Sequence, residues 1–144
     1  MGWQYYYGLL SGMVSHYSNW QATEATRLLD DTIDVSKLLE TQTEYITTNV
    51  STRAQQWLDE KNTAQQPWLL WLAYTAPHSP FHKPPADLLT GSIFADLPES
   101  GASDAEYYQA MIYAMDAQLA RVLESVDMSD TFIRLTARWP MRIA

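Results

Sequence analysis

Three side chains able to bind or transfer a proton to an anion lie within six residues of one another: His78, His82 and Lys83. They sit in the stretch APHSPFHKPP, residues 76–85. An imidazole can hydrogen-bond an anionic ester or protonate a departing oxygen. A neighbouring ammonium adds positive charge where negative charge develops. Prolines 77, 80, 84 and 85 forbid regular structure there and stiffen the backbone that carries these groups. The competing interpretation is that both histidines simply satisfy backbone carbonyls of a rigid loop. His78 and His82 also have the spacing of a metal pair, but no third ligand accompanies them, so zinc is not expected. His16, alone among tyrosines, is expected to be structural. The chain has no glycine-rich phosphate loop and no Gly-x-Ser-x-Gly elbow. It has no cysteine, which excludes disulfides, cysteine-zinc sites and a thiol nucleophile within these 144 residues.

A loop of this kind needs an element to present it. Directly before it runs WLLWLAYT, residues 68–75, a continuous apolar run of strand length bounded by Pro67 and Pro77. Such a run predicts a strand buried on both faces, of the kind found in parallel or mixed sheets covered by helices. Ligands of open α/β sheets bind just beyond the carboxyl ends of strands, where His78 would stand. Residues 2–20, aromatic and broken by Gly2, Gly8 and Gly12, read as an irregular loop with short pieces of structure, anchored by buried rings. Residues 21–48 suggest short strands or turns. Residues 49–61 predict a helix with Asn49 as N-cap and Val50, Ala54, Trp57 and Leu58 on one apolar stripe. Asn49-Val50-Ser51 also spells a glycosylation sequon, read here as a cap. Residues 86–102 read as irregular chain. Residues 103–126 predict a second helix, opened by a Ser103–Glu106 capping box. Its apolar stripe holds Tyr108, Met111, Ile112, Met115, Leu119, Val122 and Leu123. Asp104, Gln109, Asp116, Gln118, Arg121 and Glu124 mark the polar face. TFIRLT, residues 131–136, begins like another strand. The alternation of helices and strands predicts an α/β protein with a mixed sheet flanked by helices.

Composition agrees with a folded domain: 47% hydrophobic and 18% charged residues argue against disorder. The net charge of -8 argues against bulk attraction to nucleic acid or anionic lipid, so neither a nucleic-acid nor a membrane partner is expected. No run approaches membrane-spanning length. No basic segment followed by an apolar one marks a signal peptide. The 6 Trp and 9 Tyr would suit a carbohydrate-binding surface. Trp57, Trp68, Trp71 and Tyr74 fall on the predicted apolar helix face and strand, however, so most of this aromatic surface is expected to be core.

PWLLWLAYTAPHSPFHKPP, residues 67–85, resembles the sulfatase pattern of a hydrophobic strand followed by Ala-Pro-His-x-Pro-x-His. GWQYYYGLLSGMVSHYSNW resembles the aromatic-glycine segment upstream of that strand in type I sulfatases. EYYQAMIYAMDAQLARVLESVD resembles the helix that follows it, and MSDTFI the start of the strand leading to the second metal motif. The resemblance covers most of residues 2–133 and implies the central part of a sulfatase catalytic domain, residues 1–133. The implied fold is a partial alkaline phosphatase-like sandwich.

The same resemblance implies a sulfated small molecule or glycan as substrate and a calcium ion in the intact family. It also implies a periplasmic or secreted location. His78 would contact the sulfate ester near its leaving oxygen, with His82 and Lys83 as substrate-binding neighbours.

The chain departs from the family pattern in three places. The Cys/Ser-x-Pro/Ala-x-Arg sequence that yields the formylglycine nucleophile is absent; Arg138 to Arg142 copies only its spacing. The early Asp pair is absent from its expected context. Where Asp-Asn-Gly should follow Thr136, the chain reads Ala137-Arg138-Trp139. The nucleophile and metal ligands of the family therefore have no counterparts here, and no catalysis is expected from the chain alone. Residues 134–144 are expected to be an aberrant tail from a shifted reading frame, because Arg134 puts a charge into an apolar strand pattern. The alternatives are a phosphodiesterase or phosphonate hydrolase of the same superfamily, or a non-enzymatic carbohydrate-binding domain.

Overall fold

The computed structural model of the chain describes residues 4–10, 17–27, 33–64 and 67–126. Three strands come first: β1 (Tyr5–Gly8), β2 (Trp20–Arg27) and β3 (Ile33–Gln42). Three helices follow: α1 (Ile46–Ala64), α2 (Ala86–Leu89) and α3 (Asp104–Glu124). The protein is thus α/β, with a three-stranded sheet in the order β1-β2-β3.

Each pair is antiparallel, running from Tyr5↔Thr26 to Gly8↔Thr23 on one side and from Trp20↔Gln42 to Arg27↔Ile33 on the other. Among the described residues the sheet is therefore antiparallel, where the sequence led us to expect a mixed one. The connections between these strands, residues 9–19 and 28–32, are shorter than the dozen or more residues that a parallel crossover needs. The register slips between Gln21 and Thr23 and again between Glu24 and Thr26, which twists β2 locally. β1 is a short piece of structure within the aromatic stretch expected to be largely irregular. Its three successive tyrosines favour extended backbone, and Gly8 ends it at φ +148°, which side-chain-bearing residues rarely adopt.

α1 begins three residues before Asn49, so the expected N-cap lies inside the helix. The Asn49 amide donates to the Tyr45 carbonyl at 2.9 Å. Its side chain accepts from the Tyr7 hydroxyl at 2.5 Å and donates to Glu44 at 2.8 Å. The asparagine thus ties the sheet to the helix start. α1 buries Ile46, Thr47, Ser51, Ala54 and Leu58. α3 opens with the capping box read from the sequence: the Ser103 hydroxyl accepts from the Glu106 amide, and Glu106 Oε2 accepts from the Ser103 amide at 2.8 Å. These bonds hold the Glu106 carboxyl below its ordinary range. Ser103→Ala should cost about 1 kcal/mol of stability, read as a lowered denaturant midpoint at unchanged slope.

The buried stripe of α3 is Tyr107, Ala110, Met111, Ala114, Gln118 and Val122. Gln118 was expected on the polar face, yet it is only 1% exposed. Gln118 lies on the side of α3 that meets α1, where its Nε2 donates to Thr48 Oγ1 at 3.3 Å. A buried amide is tolerable when it is paired in this way. Residues 86–102, expected to be irregular throughout, contain the single turn of α2, whose Leu88 and Leu89 are buried.

The predicted strand 68–75 is not a strand. Its backbone is extended but joins no ladder among the described residues. Trp68, Leu70 and Leu72 pack inward on Ala54, Leu58 and Val122. Leu69 and Trp71 point outward, each 73% exposed. Among the described residues only one face is covered, by α1 and α3, so the run is half-buried with a period of two rather than buried on both faces. The expected strand 131–136 and the expected aberrant tail 134–144 lie outside the described residues.

Candidate functional site

The extended run 67–75 delivers its chain end to the histidine loop, and Tyr74 fixes the approach. Its hydroxyl lies 2.8 Å from the buried Ser51 hydroxyl of α1. The His78 amide donates to the Thr75 carbonyl at 3.0 Å, which closes a turn around Ala76 and Pro77. The Ala76–Pro77 and Ser79–Pro80 bonds are both cis. Ala76 and Pro84 are buried and anchor the loop at its two ends.

His78 is exposed and borders a groove of about 1520 Å³ between β1, α1 and residues 67–75. Its Nδ1 stands 2.7 Å from the Ser79 carbonyl oxygen. A carbonyl can only accept, so Nδ1 carries the proton and the lone pair of the neutral ring is on Nε2. Nε2 can take up a proton there and present it to a ligand.

His82 stands differently. Its Nδ1 lies 2.8 Å from the Pro80 carbonyl and its Nε2 lies 3.3 Å from the Tyr45 hydroxyl. The ring packs against two tyrosines, 4.3 Å from the Tyr17 centroid and 5.7 Å from that of Tyr45. Burial pushes its pKa below 6.5 and raises the Tyr17 phenol to about 12. The Tyr45 phenol is raised further, again chiefly by burial.

A histidine held neutral in the fold binds fewer protons than the same residue unfolded. Its contribution to stability is therefore complete above pH 6.5 and is lost as pH falls from there toward the folded pKa. Thermal unfolding at pH 5.5 and 7.5 should show this loss, and His82→Asn should remove that part of the difference.

Lys83 extends to Glu99, with Nζ 3.2 Å from Oε1. The lysine side chain is 15% exposed and the glutamate 83% exposed, so the ammonium is the better sheltered partner. The structure thus keeps the three predicted residues on one loop but gives them different surroundings. His78 faces the groove, His82 is enclosed by tyrosines, and Lys83 is ion-paired. His16 lies outside the described residues.

Sequence reasoning missed Tyr17 and Tyr45. They stack on each other at 5.6 Å, and the Tyr17 hydroxyl donates to the His78 carbonyl at 2.5 Å. No spacing rule links residues so far apart in the chain; only the tertiary fold brings them together. It also missed Arg53 of α1, which lines the groove, pairs with Glu24 and donates to the Tyr5 hydroxyl at 2.6 Å.

The described residues do not fit a calcium ion. Among them no three His, Cys, Asp or Glu side chains converge as a metal cluster. No helix among the described residues is long and apolar enough to cross a membrane.

The sulfatase family model matches residues 2–137. An uncharacterized sulfatase of Escherichia coli strain K12, YdeN, is 32% identical over 82 residues. That stretch covers 57% of this chain and 14% of the relative. No solved structure matches.

Proposed function

This chain belongs to the sulfatase family, and on that premise we propose that it supplies the histidine-bearing wall of a sulfate-ester hydrolase. The observation that carries the reading is the position of His78. It is an exposed imidazole at the end of an anchored extended run, beside a groove, with Nδ1 oriented by the Ser79 carbonyl. An imidazole fixed in this way can donate from protonated Nε2 to a sulfate oxygen or to the leaving oxygen of the ester. Lys83 would add positive charge from the far end of the loop. His82, next to His78 on the same loop, would border the bound ester.

The substrate class proposed is a sulfated small molecule or glycan. The proposed setting is an alkaline phosphatase-like sandwich, with a formylglycine nucleophile and a calcium ion supplied by parts of the enzyme that have no counterpart in these residues. We propose that the 144 residues alone do not hydrolyse sulfate esters, because catalysis needs an activated nucleophile that they lack. Two assays test this. The purified chain should not release the phenol from an aryl sulfate above the buffer rate. A chimera in which this chain's matched stretch replaces that of a catalytically competent sulfatase should retain turnover. Hydrolysis by the isolated chain, abolished by His78→Ala, would overturn the dependence. A folded chimera without activity would overturn the site.

A further inference from the structure

The Tyr17–Tyr45–His82 cluster does more than fill space. Tyr17 is fixed at its backbone, since its carbonyl accepts from the Ile46 amide at the start of α1 at 2.8 Å. Its ring packs against both Tyr45 and His82, which also touch each other, so the three rings form a triangle. Its hydroxyl then reaches across to the His78 carbonyl at 2.5 Å, with the Thr75 carbonyl 3.4 Å away. His82 completes the arrangement by two directional bonds. The Pro80 carbonyl accepts only, so Nδ1 must be the protonated nitrogen. Nε2 is left to accept from the Tyr45 hydroxyl. Neither nitrogen of His82 remains for a ligand without breaking one of these bonds.

We propose that His82 is a positioning residue: as a neutral imidazole packed against Tyr17 and bonded by the Tyr45 hydroxyl, it holds the Tyr17 hydroxyl against the His78 carbonyl and so fixes where the His78 ring stands. The two histidines of the loop then divide the work. One faces the groove, and the other holds the frame. This deepens the proposed role of His82 by making its part in ester binding indirect. The catalytic consequence rests on the reading of His78 as the ester-facing group, whereas the clamp itself does not.

Imidazole nitrogen spectra of the 144-residue chain, labelled with nitrogen-15 in histidine, test the clamp without any activity. At pH 7.5 His82 should appear as a single neutral Nδ1–H tautomer. Tyr45→Phe should convert it to a mixture by removing the donor to Nε2. His82→Ala should shift the His78 ring resonances, and His82→Phe, which restores a ring against the tyrosines, should return them toward their original positions. A His82 that is Nε2-protonated or cationic at pH 7.5 would overturn the proposal, as would His78 resonances indifferent to His82→Ala.

Carbethoxylation by diethyl pyrocarbonate, read by peptide mass at low protein concentration, keeps the test open if spectra are poorly resolved. His82 should react about tenfold more slowly than His78, because attack must wait on local opening of the clamp. Tyr45→Phe should narrow that gap, and equal rates in the unmodified chain would overturn the proposal. A confirmed clamp in a chimera that lacks turnover would count against the sulfate-ester reading and leave the clamp standing.

Discussion

Replacing His78 by alanine in an active sulfatase carrying this segment should lower kcat by roughly 10²- to 10⁴-fold, the usual contribution of a positioned proton donor. Folding stability should change by no more than about 0.5 kcal/mol, because an exposed side chain leaves neither a cavity nor a buried orphan when removed. The structure sets up this separation. The His78 backbone is held by its amide bond to Thr75 and by the Tyr17 hydroxyl on its carbonyl, neither of which involves the imidazole. The ring's own bond runs only to the adjacent Ser79 carbonyl. The measurement is kcat beside a denaturant midpoint on the same preparation. Stability lost with turnover kept would make His78 a loop anchor, and the site would have to be placed elsewhere.

The isolated chain should associate at micromolar concentration, and pairing Leu69→Lys with Trp71→Glu should weaken that association by on the order of a hundredfold. Extended backbone without ladder bonds is a template for another strand. Here it also displays Leu69 and Trp71, each 73% exposed, on one face. Burying the two side chains against a second copy contributes about 3 kcal/mol or more, which is roughly the hundredfold expected from their removal. Both side chains point away from Ala54, Leu58 and Val122, so the substitutions leave the inner packing intact. Sedimentation velocity across a dilution series reads the effect directly. A monomer at every concentration before substitution would show that this face is not adhesive.

Local signals in the sequence located α3 and its cap well, because a capping box and a 3.6-residue apolar period act within a few residues. The same signals misplaced Gln118. Which flank of an amphipathic helix is buried depends on the partner helix, here α1, whose Thr48 takes the Gln118 side-chain amide. The run 68–75 was legible as extended and apolar, but not as one-sided. A continuous apolar string is compatible with either state, and the number of covered faces depends on what lies next to it. The histidine loop could be found from its prolines and imidazoles alone. The different surroundings of His78 and His82 could not, since they depend on two tyrosines from distant parts of the chain. Arg53 was hidden for the same reason: its partners, Glu24 and Tyr5, lie on β2 and β1.

The bond from the Tyr17 hydroxyl to the His78 carbonyl spans 61 residues of sequence. A contact between such distant positions bears its loop-closure entropy before it returns any energy, so it is expected to form late, after β2, α1 and the run 67–75 have met. On that order the geometry of the histidine loop is an end product of folding rather than a seed for it. Interactions absent from the transition state act on the unfolding rate and leave the folding rate nearly unchanged. Natural variation at Tyr17 would then alter how long a folded molecule keeps its histidine in place, while barely affecting how quickly new molecules reach that state.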